Sequence, residues 1–316
     1  MLLSRQIYED LMPNEGKEKL RADALAAVQA VLEAQVGKPG IVLVHGSNAH
    51  LEWWRFVAPF LADQFRVVAL DSSGNGDSGW RERYSGAVLA KEVFAVCQAA
   101  ELGDRPFVVG HSFGGFVVLE TGHHYGKDLG GIVFLDFTTA PPEHYVEWGL
   151  RAEREGVQPG RATRIYAERD AALARFRYMP EQPVTHACIR DYIGEKSLRP
   201  VAGGWTWKFD PALFDHLEMG ITQRDKFAGM ACRSAVVLGE QSADEGAFWS
   251  GHMAEITAGK LPVFRIPGTH HHLMFDDPIA VAVVLKAIVL GWIAEDGRSE
   301  MTSALARTLA NSPERK

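Results

Sequence analysis

Short runs of consecutive apolar residues recur along the chain, separated by stretches in which apolar residues follow a helical spacing. Such runs are typical of strands buried on both faces of a parallel sheet. The pattern predicts six strands, at residues 41–44, 66–70, 107–109, 131–136, 234–239 and 263–266. Helices are predicted between them, at residues 51–61, 87–101, 116–120 and 278–293. This alternation predicts the α/β fold class, with a doubly wound, mostly parallel sheet and helices on both faces.

The alternation stops between residues 141 and 230, where charged residues, prolines and aromatic residues are frequent. A helix is predicted within this stretch at residues 161–177. Roughly 90 residues between two core strands are too many for an ordinary loop. We therefore interpret residues 141–230 as a helical cap over the carboxyl ends of the strands. Its aromatic residues are candidates for lining a pocket: Trp148, Trp205, Trp207 and Phe209.

The domain organisation predicted from these patterns has four parts. Residues 1–140 form the first part of the core, the cap follows, and residues 231–294 complete the core. Residues 295–316 are a polar tail, expected to be a frayed helix or disordered. The beginning of the chain is open, because residues 20–36 favour a helix by alanine content and a hairpin by partial alternation.

Composition narrows the class of protein. The 316 residues include 47% hydrophobic residues, enough for one large domain with an insertion. A net charge of −7 without a basic stripe argues against nucleic acid or an anionic membrane as partner. The three cysteines, Cys97, Cys188 and Cys232, suit a reducing compartment without disulfides. Charge appears too early for a signal peptide, and no run suggests a membrane span, so we expect a cytoplasmic protein.

The sequence Gly-His-Ser-Phe-Gly at residues 110–114 lies between a predicted strand and a predicted helix. A serine between two glycines at such a junction is the pattern of a nucleophile elbow. The tight turn requires small residues two before and two after Ser112, and it holds the hydroxyl above the sheet edge. The positive end of the following helix points at charge that develops there. Ser112 is therefore the candidate nucleophile.

A serine hydroxyl needs a base within hydrogen-bond reach, and the base needs an acid that orients it. The best source of the base is the stretch from Gly268 to Pro278, which follows the last predicted strand and contains three histidines. Three adjacent histidines also suggest a metal site. Consecutive side chains do not share a face, however, and no His-Glu-x-x-His motif accompanies them, so we expect no metal.

These motifs resemble those of the α/β-hydrolase fold superfamily, in its capped branch of epoxide hydrolases and haloalkane dehalogenases. The resemblance covers about residues 38–294 and rests on His45-Gly46, the glycine-rich residues 71–78, the elbow and the histidine segment. In such enzymes a proline follows the catalytic histidine by seven residues. Pro278 has this spacing from His271, which the resemblance therefore implies as the base, with His270 and His272 as second choices.

The resemblance also implies an oxyanion hole and an acid. Two backbone N–H groups, of Ser47 and Phe113, would form the oxyanion hole, and Asn48 could add a side-chain donor. The acid usually follows the strand after the cap as Gly-x-x-Asp, but that slot holds Ser242, with Asp244 two residues later. Some dehalogenase-like relatives place the acid after the preceding strand, where Asp136 stands. Asp136 is the first choice, Asp244 the alternative, and Glu240 a distant third.

Relatives in this branch that cleave alkyl halides or epoxides attack with an aspartate, whereas this chain offers Ser112. A serine nucleophile suits a carbonyl carbon and implies acyl transfer to water without a cofactor. We expect an apolar ester or lactone of small to medium size as substrate, with homodimer formation left open. The same residues would serve a carbon–carbon bond hydrolase or a cofactor-free perhydrolase. The displaced acid also leaves open a non-catalytic ligand receptor.

Overall fold

The computed structural model describes residues 37–154, 164–244 and 247–310. Residues 20–36, for which the sequence allows a helix or a hairpin, lie outside the described residues. The strands are β1 (Gly40–Val44), β2 (Arg66–Leu70), β3 (Tyr84–Ser85), β4 (Phe107–His111), β5 (Gly131–Leu135), β6 (Leu198–Val201), β7 (Gly204–Trp207), β8 (Leu217–Glu218), β9 (Ser234–Gly239) and β10 (Val263–Ile266). The helices are α1 (Ala58–Leu61), α2 (Gly86–Ala99), α3 (Phe113–Tyr125), α4 (Pro142–Arg154), α5 (Arg169–Leu173), α6 (Ala187–Lys196), α7 (Gln223–Ala228), α8 (Ser250–Ile256), α9 (Leu273–Asp276) and α10 (Pro278–Ala310).

Six strands form the central sheet in the order β10-β9-β5-β4-β1-β2. Every neighbouring pair in this sheet is parallel. The predicted mostly parallel sheet and its six strands are confirmed. Because β4 lies between β1 and β5, the chain ends that follow these three strands meet at one edge of the sheet, where ligands bind in open α/β folds.

The four inner strands, β1, β4, β5 and β9, are buried on both faces of the sheet, as their continuous apolar runs predicted. The edge strands β2 and β10 are more exposed than their apolar runs predicted. Ile41 and Leu43 point into one core cluster, which includes side chains of α1 and α10. Val42 and Val44 point into the other, which includes side chains of α2 and α3. Strand residues alternate between faces with a period of two, so one apolar run supplies two cores. Helices therefore cover both faces of the sheet.

The described residues between β5 and β9 form helices and short strands that lie outside the central sheet. The hairpin of β6 and β7 is antiparallel, and β8 pairs with β3. The helix predicted at residues 161–177 is limited to α5 among the described residues, and residues 161–163 lie outside them. Gln182 and Thr185 donate side-chain hydrogen bonds to Asp276, which ties this stretch to the segment after β10.

Other predicted helices also differ in extent from the structure. The helix expected at residues 51–61 is divided into a 3₁₀ helix (Leu51–Trp54) and α1. The last helix continues to Ala310, through most of the expected tail. Its part from Pro278 to Ser299 has a mean hydropathy of 1.9 and is long enough to cross a membrane, which the sequence pattern did not suggest. One third of it is buried, with Val281 and Leu285 in the core.

Candidate active site

Ser112 lies in the sharp turn between β4 and α3, with φ 53° and ψ −122°. This conformation is unfavourable for a residue with a side chain, and the surrounding packing must maintain it. The flanking glycines allow the chain to approach itself. A Cβ on Gly110 would lie 2.1 Å from the Gly114 carbonyl oxygen, and one on Gly114 would lie 2.5 Å from the His45 carbonyl oxygen. The backbone thus requires glycine on both sides of the serine.

His271 contacts both Ser112 and Asp136. Its Nε2 lies 2.9 Å from Ser112 Oγ, and its Nδ1 lies 2.6 Å from Asp136 Oδ2. Since a carboxylate accepts hydrogen bonds, Nδ1–H donates to Asp136 and Nε2 is free to accept from the serine hydroxyl. His271 and Asp136 are both buried, which strengthens their electrostatic interaction.

Asp136 follows β5 in a left-handed conformation, with φ 48°. Its Oδ1 accepts a hydrogen bond from Gly239 N–H at 2.9 Å, and its Oδ2 accepts one from Ser242 Oγ–H at 2.6 Å. With the hydrogen bond from His271, three donors therefore hold this carboxylate in place. Ser242 occupies the slot that holds the acid in the usual pattern, and here its hydroxyl donates to Asp136, which follows the neighbouring strand.

The alternative carboxylates make other contacts. Glu240 Oε2 accepts a hydrogen bond from Gly268 N–H at 3.1 Å. The backbone N–H of Asp244 donates to Ser242 Oγ at 3.4 Å. Of the three candidates, Asp136 is the one whose carboxylate hydrogen-bonds to the His271 ring.

The second-choice histidines face other partners. His270 Nδ1 lies 3.1 Å from Asp276 Oδ2. The His272 ring is buried among aromatic rings, with its centroid 5.2 Å from that of Trp53 and 5.4 Å from that of Tyr178. Burial lowers the pKa of His272 well below its ordinary value, and the neighbouring His271 lowers it further.

His111, the residue before Ser112, holds the loop that carries His271. Its Nε2–H donates to the His271 backbone carbonyl at 2.9 Å, so the elbow and the loop are connected directly. Burial lowers the pKa of His111 well below its ordinary value, and the nearby His271 lowers it further by charge repulsion. A neutral ring keeps one N–H donor, which this hydrogen bond uses.

The expected oxyanion-hole residues lie on the two loops that meet at the elbow. Phe113 is the first residue of α3, so its N–H has no acceptor within the helix. A Cβ on Gly46 would lie 3.3 Å from Ser112 Cβ, which places the loop containing Ser47 against Ser112. Asn48 is exposed, with φ 54° in the turn of the same loop.

The expected pocket aromatics pack within the insertion as far as the structure describes them. Trp207 contacts Phe176 and Tyr166, and Arg169 lies 5.7 Å above the ring of Trp205. The side chain of Trp148 lies outside the described residues. Phe209 forms an isolated backbone bridge with Asn75 in the glycine-rich loop.

A residue that the sequence did not single out packs against the residue that follows the candidate nucleophile. Phe214 is 46% exposed, and its ring is 5.1 Å from that of Phe113, which directly follows Ser112. The sequence held no signal for Phe214, because an aromatic residue in a loop has no periodicity. Ser242 and His111 were visible in the motifs, but only the fold shows what their side chains contact.

The sequence is similar to known hydrolases. The model of the Alpha/beta hydrolase family matches residues 41–284. A pimeloyl-[acyl-carrier protein] methyl ester esterase of Edwardsiella ictaluri is 35% identical over 97 residues, which are 31% of this chain and 36% of that protein. A haloalkane dehalogenase of Sphingobium indicum is 29% identical over 131 residues, which are 40% of this chain and 43% of that protein. The alignments thus cover less than half of either relative.

Solved structures show the same fold at low identity. E-2-(acetamidomethylene)succinate hydrolase has a TM-score of 0.66 at 19% identity, over 79% of this chain and 91% of that one. An esterase from Mycobacterium tuberculosis has a TM-score of 0.60 at 20% identity, over 80% of this chain and 85% of that one. At such identities the likeness establishes the architecture and leaves the chemistry to the site.

Proposed function

The chain belongs to the alpha/beta hydrolase family, and from this premise we propose that it is a serine esterase. It would cleave an apolar carboxylic ester or lactone of small to medium size through an acyl-enzyme intermediate. The observation that carries the proposal is the position of His271, within hydrogen-bond distance of both Ser112 Oγ and Asp136 Oδ2. All three residues lie within the stretch matched by the family model.

In the proposed acylation step, Ser112 Oγ attacks the ester carbonyl carbon while His271 Nε2 takes the hydroxyl proton. Asp136 accepts the Nδ1–H hydrogen bond throughout, so it orients the ring and stabilises the imidazolium that forms. The imidazolium then gives its proton to the leaving alcohol. The negative charge on the carbonyl oxygen would be stabilised by the N–H groups of Ser47 and Phe113.

In deacylation, His271 takes a proton from water, and the resulting hydroxide attacks the acyl carbon. Collapse of the second tetrahedral intermediate returns the proton to Ser112 and releases the carboxylic acid. Every proton in this cycle passes through His271 Nε2. None of these steps requires a cofactor, so the proposal includes none.

Three observations support an apolar ester as substrate. The methyl ester esterase of Edwardsiella ictaluri acts on a carboxylic ester by its name, and this chain is similar to part of it. The exposed ring of Phe214 beside Phe113 offers an apolar surface next to the nucleophile. We propose that residues 141–230 cap the site, because hydrogen bonds to Asp276 hold Gln182 and Thr185 against the segment that follows His271.

A fluorophosphonate probe tests the proposal, because it labels an activated serine. We expect one label on Ser112 in the wild type, none in Ser112→Ala, and normal labelling in a control, Ser299→Ala, on the exposed face of α10. The same proteins are tested with p-nitrophenyl esters of increasing acyl length, and we expect hydrolysis that depends on Ser112.

Absence of labelling together with absence of ester hydrolysis would contradict the proposal and favour a ligand receptor. Labelling without ester hydrolysis would keep the nucleophile and reject the substrate class. A panel of lactones and vinylogous diones, with a perhydrolysis assay, then separates the remaining acyl-transfer and carbon–carbon cleaving activities.

A further inference from the structure

Three buried histidines, His111, His271 and His272, surround the candidate nucleophile. Each offers one ring nitrogen, and these three atoms lie within 4.8 Å of one another. The rings belong to two different segments, because His111 ends β4 whereas the other two follow β10. Consecutive histidines of the segment after β10 do not share a face. The fold brings His111, from the end of β4, to them as the third histidine. Among the residues that the structure describes, these three histidines are the group whose ligand atoms lie close enough together to hold a metal ion.

The hydrogen bonds of His111 leave one nitrogen available. Its Nε2–H donates to the backbone carbonyl of His271, so its Nδ1 carries the lone pair. Nδ1 is buried and has no hydrogen-bond partner among the described residues. Metal-binding histidines commonly donate their second N–H to a backbone carbonyl or a carboxylate, which fixes the tautomer. His111 already has this arrangement.

His271 has the equivalent arrangement with a carboxylate. Its Nδ1–H donates to Asp136, and its Nε2 presents a lone pair toward Ser112. Neither ring nitrogen of His272 has a partner at hydrogen-bond distance and angle among the described residues. The backbone of Met179 and Pro180 lies beside the ring and offsets part of the lowering of its pKa by burial. His272 is 2% exposed, so its ring nitrogens have lost their hydrogen bonds to water without comparable bonds to the protein.

We propose that this cluster binds a divalent transition-metal ion such as Zn²⁺ and that the bound ion inhibits the enzyme. Three imidazoles with an oxygen as fourth ligand form a common zinc coordination set. The ligands would be His111 Nδ1, His271 Nε2 and one ring nitrogen of His272, with Ser112 Oγ or water completing the tetrahedron. The inhibitory part of this inference rests on the proposed esterase function.

The ion would inhibit by occupying the lone pair that the reaction needs. Zinc–nitrogen bonds of about 2.0–2.1 Å require ligand nitrogens roughly 3.3 Å apart, so the rings must turn inward by about 1 Å. His271 Nε2 would then bond to zinc instead of accepting the Ser112 hydroxyl proton. No electron is transferred, and removal of the ion restores the base. Imidazole favours Zn²⁺, Cu²⁺ and Ni²⁺ over Mg²⁺, which should not inhibit.

Zinc binding to the full chain, measured by equilibrium dialysis with Zn²⁺ alone, tests the site without reference to activity. We expect one tightly bound ion per wild-type chain. His272→Phe keeps an aromatic ring beside Trp53 and Tyr178, and His111→Gln keeps a donor for the His271 carbonyl. Both variants should bind zinc at least about tenfold more weakly. The control His123→Gln, which removes an exposed imidazole, should bind it like the wild type.

The inhibitory role is tested by ester hydrolysis, with each protein compared to its own zinc-free rate. Zinc should inhibit the wild type, a chelator should restore the rate, and Mg²⁺ should have no effect. The zinc concentration for half-inhibition should rise at least about tenfold in His272→Phe. If that variant does not fold, judged by its circular dichroism spectrum, His111→Gln and the wild type decide the question.

Two results would overturn the inference: no zinc bound by the wild type, or zinc bound equally by the wild type and both cluster variants. Zinc binding that leaves the hydrolysis rate unchanged would overturn the inhibitory role. A chain that binds zinc through these histidines but cleaves no ester supports the metal site while contradicting the proposed esterase function. The two proposals therefore fail separately.

Discussion

At the scale of single residues, His271 is distinguished from its neighbours by what its two ring nitrogens contact. Ser112 lies on one side of the ring and Asp136 on the other, whereas His270 hydrogen-bonds to Asp276. Three histidines in a row look alike in the sequence. The spacing to Pro278 in related enzymes indicated the middle one, and in the structure the ring of this residue lies between Ser112 and Asp136.

We predict that His271→Ala lowers kcat for ester hydrolysis by at least about 10³-fold, because among the described residues His271 is the base that hydrogen-bonds to Ser112 Oγ. His270→Ala removes the neighbouring imidazole and should retain activity within about tenfold of the wild type. Steady-state kinetics and the thermal unfolding of both variants provide the measurement. Activity like the wild type in His271→Ala would transfer the role of base to another histidine.

The acid gives a second prediction at this scale. Asp136→Asn keeps the shape of the side chain but loses the charge that orients and stabilises His271, so kcat should fall by about 10⁴-fold. Asp244→Asn leaves the contact between Asp136 and His271 unchanged and should reduce kcat less than about threefold. Equal and mild losses in the two variants would mean that neither carboxylate is the acid.

The ambiguity between these two aspartates shows what sequence patterns cannot provide. Asp136 and Asp244 each follow a predicted strand, and the sequence does not state which strand is nearer the histidine loop. The sheet order places β5 beside β9, so Ser242 after β9 can reach the carboxylate that follows β5. A contact across two strands depends on register, which the hydrophobic pattern of either strand alone does not contain.

At the scale of elements, buried strands were the most predictable part of the fold. Their continuous apolar runs reflect burial on both faces, which is a property of the sheet itself. The short helices were less predictable, since residues 51–61 have helical spacing but divide at residues 55–57 into a 3₁₀ helix and α1. Trp205 and Trp207 illustrate the same difficulty, because aromatic content does not reveal whether a ring packs inside the insertion or faces a pocket.

The elbow yields a prediction at this scale. Gly110→Ala places a Cβ 2.1 Å from the Gly114 carbonyl oxygen, so the turn must open to accommodate it. We expect a loss of about 1–3 kcal/mol in the free energy of unfolding, together with loss of fluorophosphonate labelling. The matched control is Gly79→Ala, where a Cβ meets nothing within 4 Å, and its stability should change by less than about 0.5 kcal/mol. Equal stability of the two variants would show that the turn tolerates a side chain.

At the scale of the whole molecule, several imidazoles are buried in a form that resists protonation. Burial is the largest cause that lowers the pKa of His45, His50, His111 and His272. A histidine whose pKa is lower in the folded protein stabilises the fold above its unfolded pKa, because below that pH only the unfolded chain takes up the proton. This stability is lost as the pH falls below 6.5 toward the folded pKa. Acid should therefore weaken the whole fold well before ordinary carboxylates are protonated.

His50 allows this effect to be measured on one group. It lies after β1 and hydrogen-bonds to Ser197 Oγ at 2.8 Å, and its burial lowers its pKa from 6.5 to about 3. Linkage then predicts that His50 alone removes about 2 kcal/mol of unfolding free energy between pH 7.5 and pH 5. His50→Gln retains a donor for Ser197 without the titrating ring, so its stability should fall about 2 kcal/mol less over that interval. Urea unfolding at both pH values measures the difference, with His216→Gln, at an exposed position, as control. The same loss of stability in His50→Gln and the wild type would mean that this ring is protonated in the folded protein.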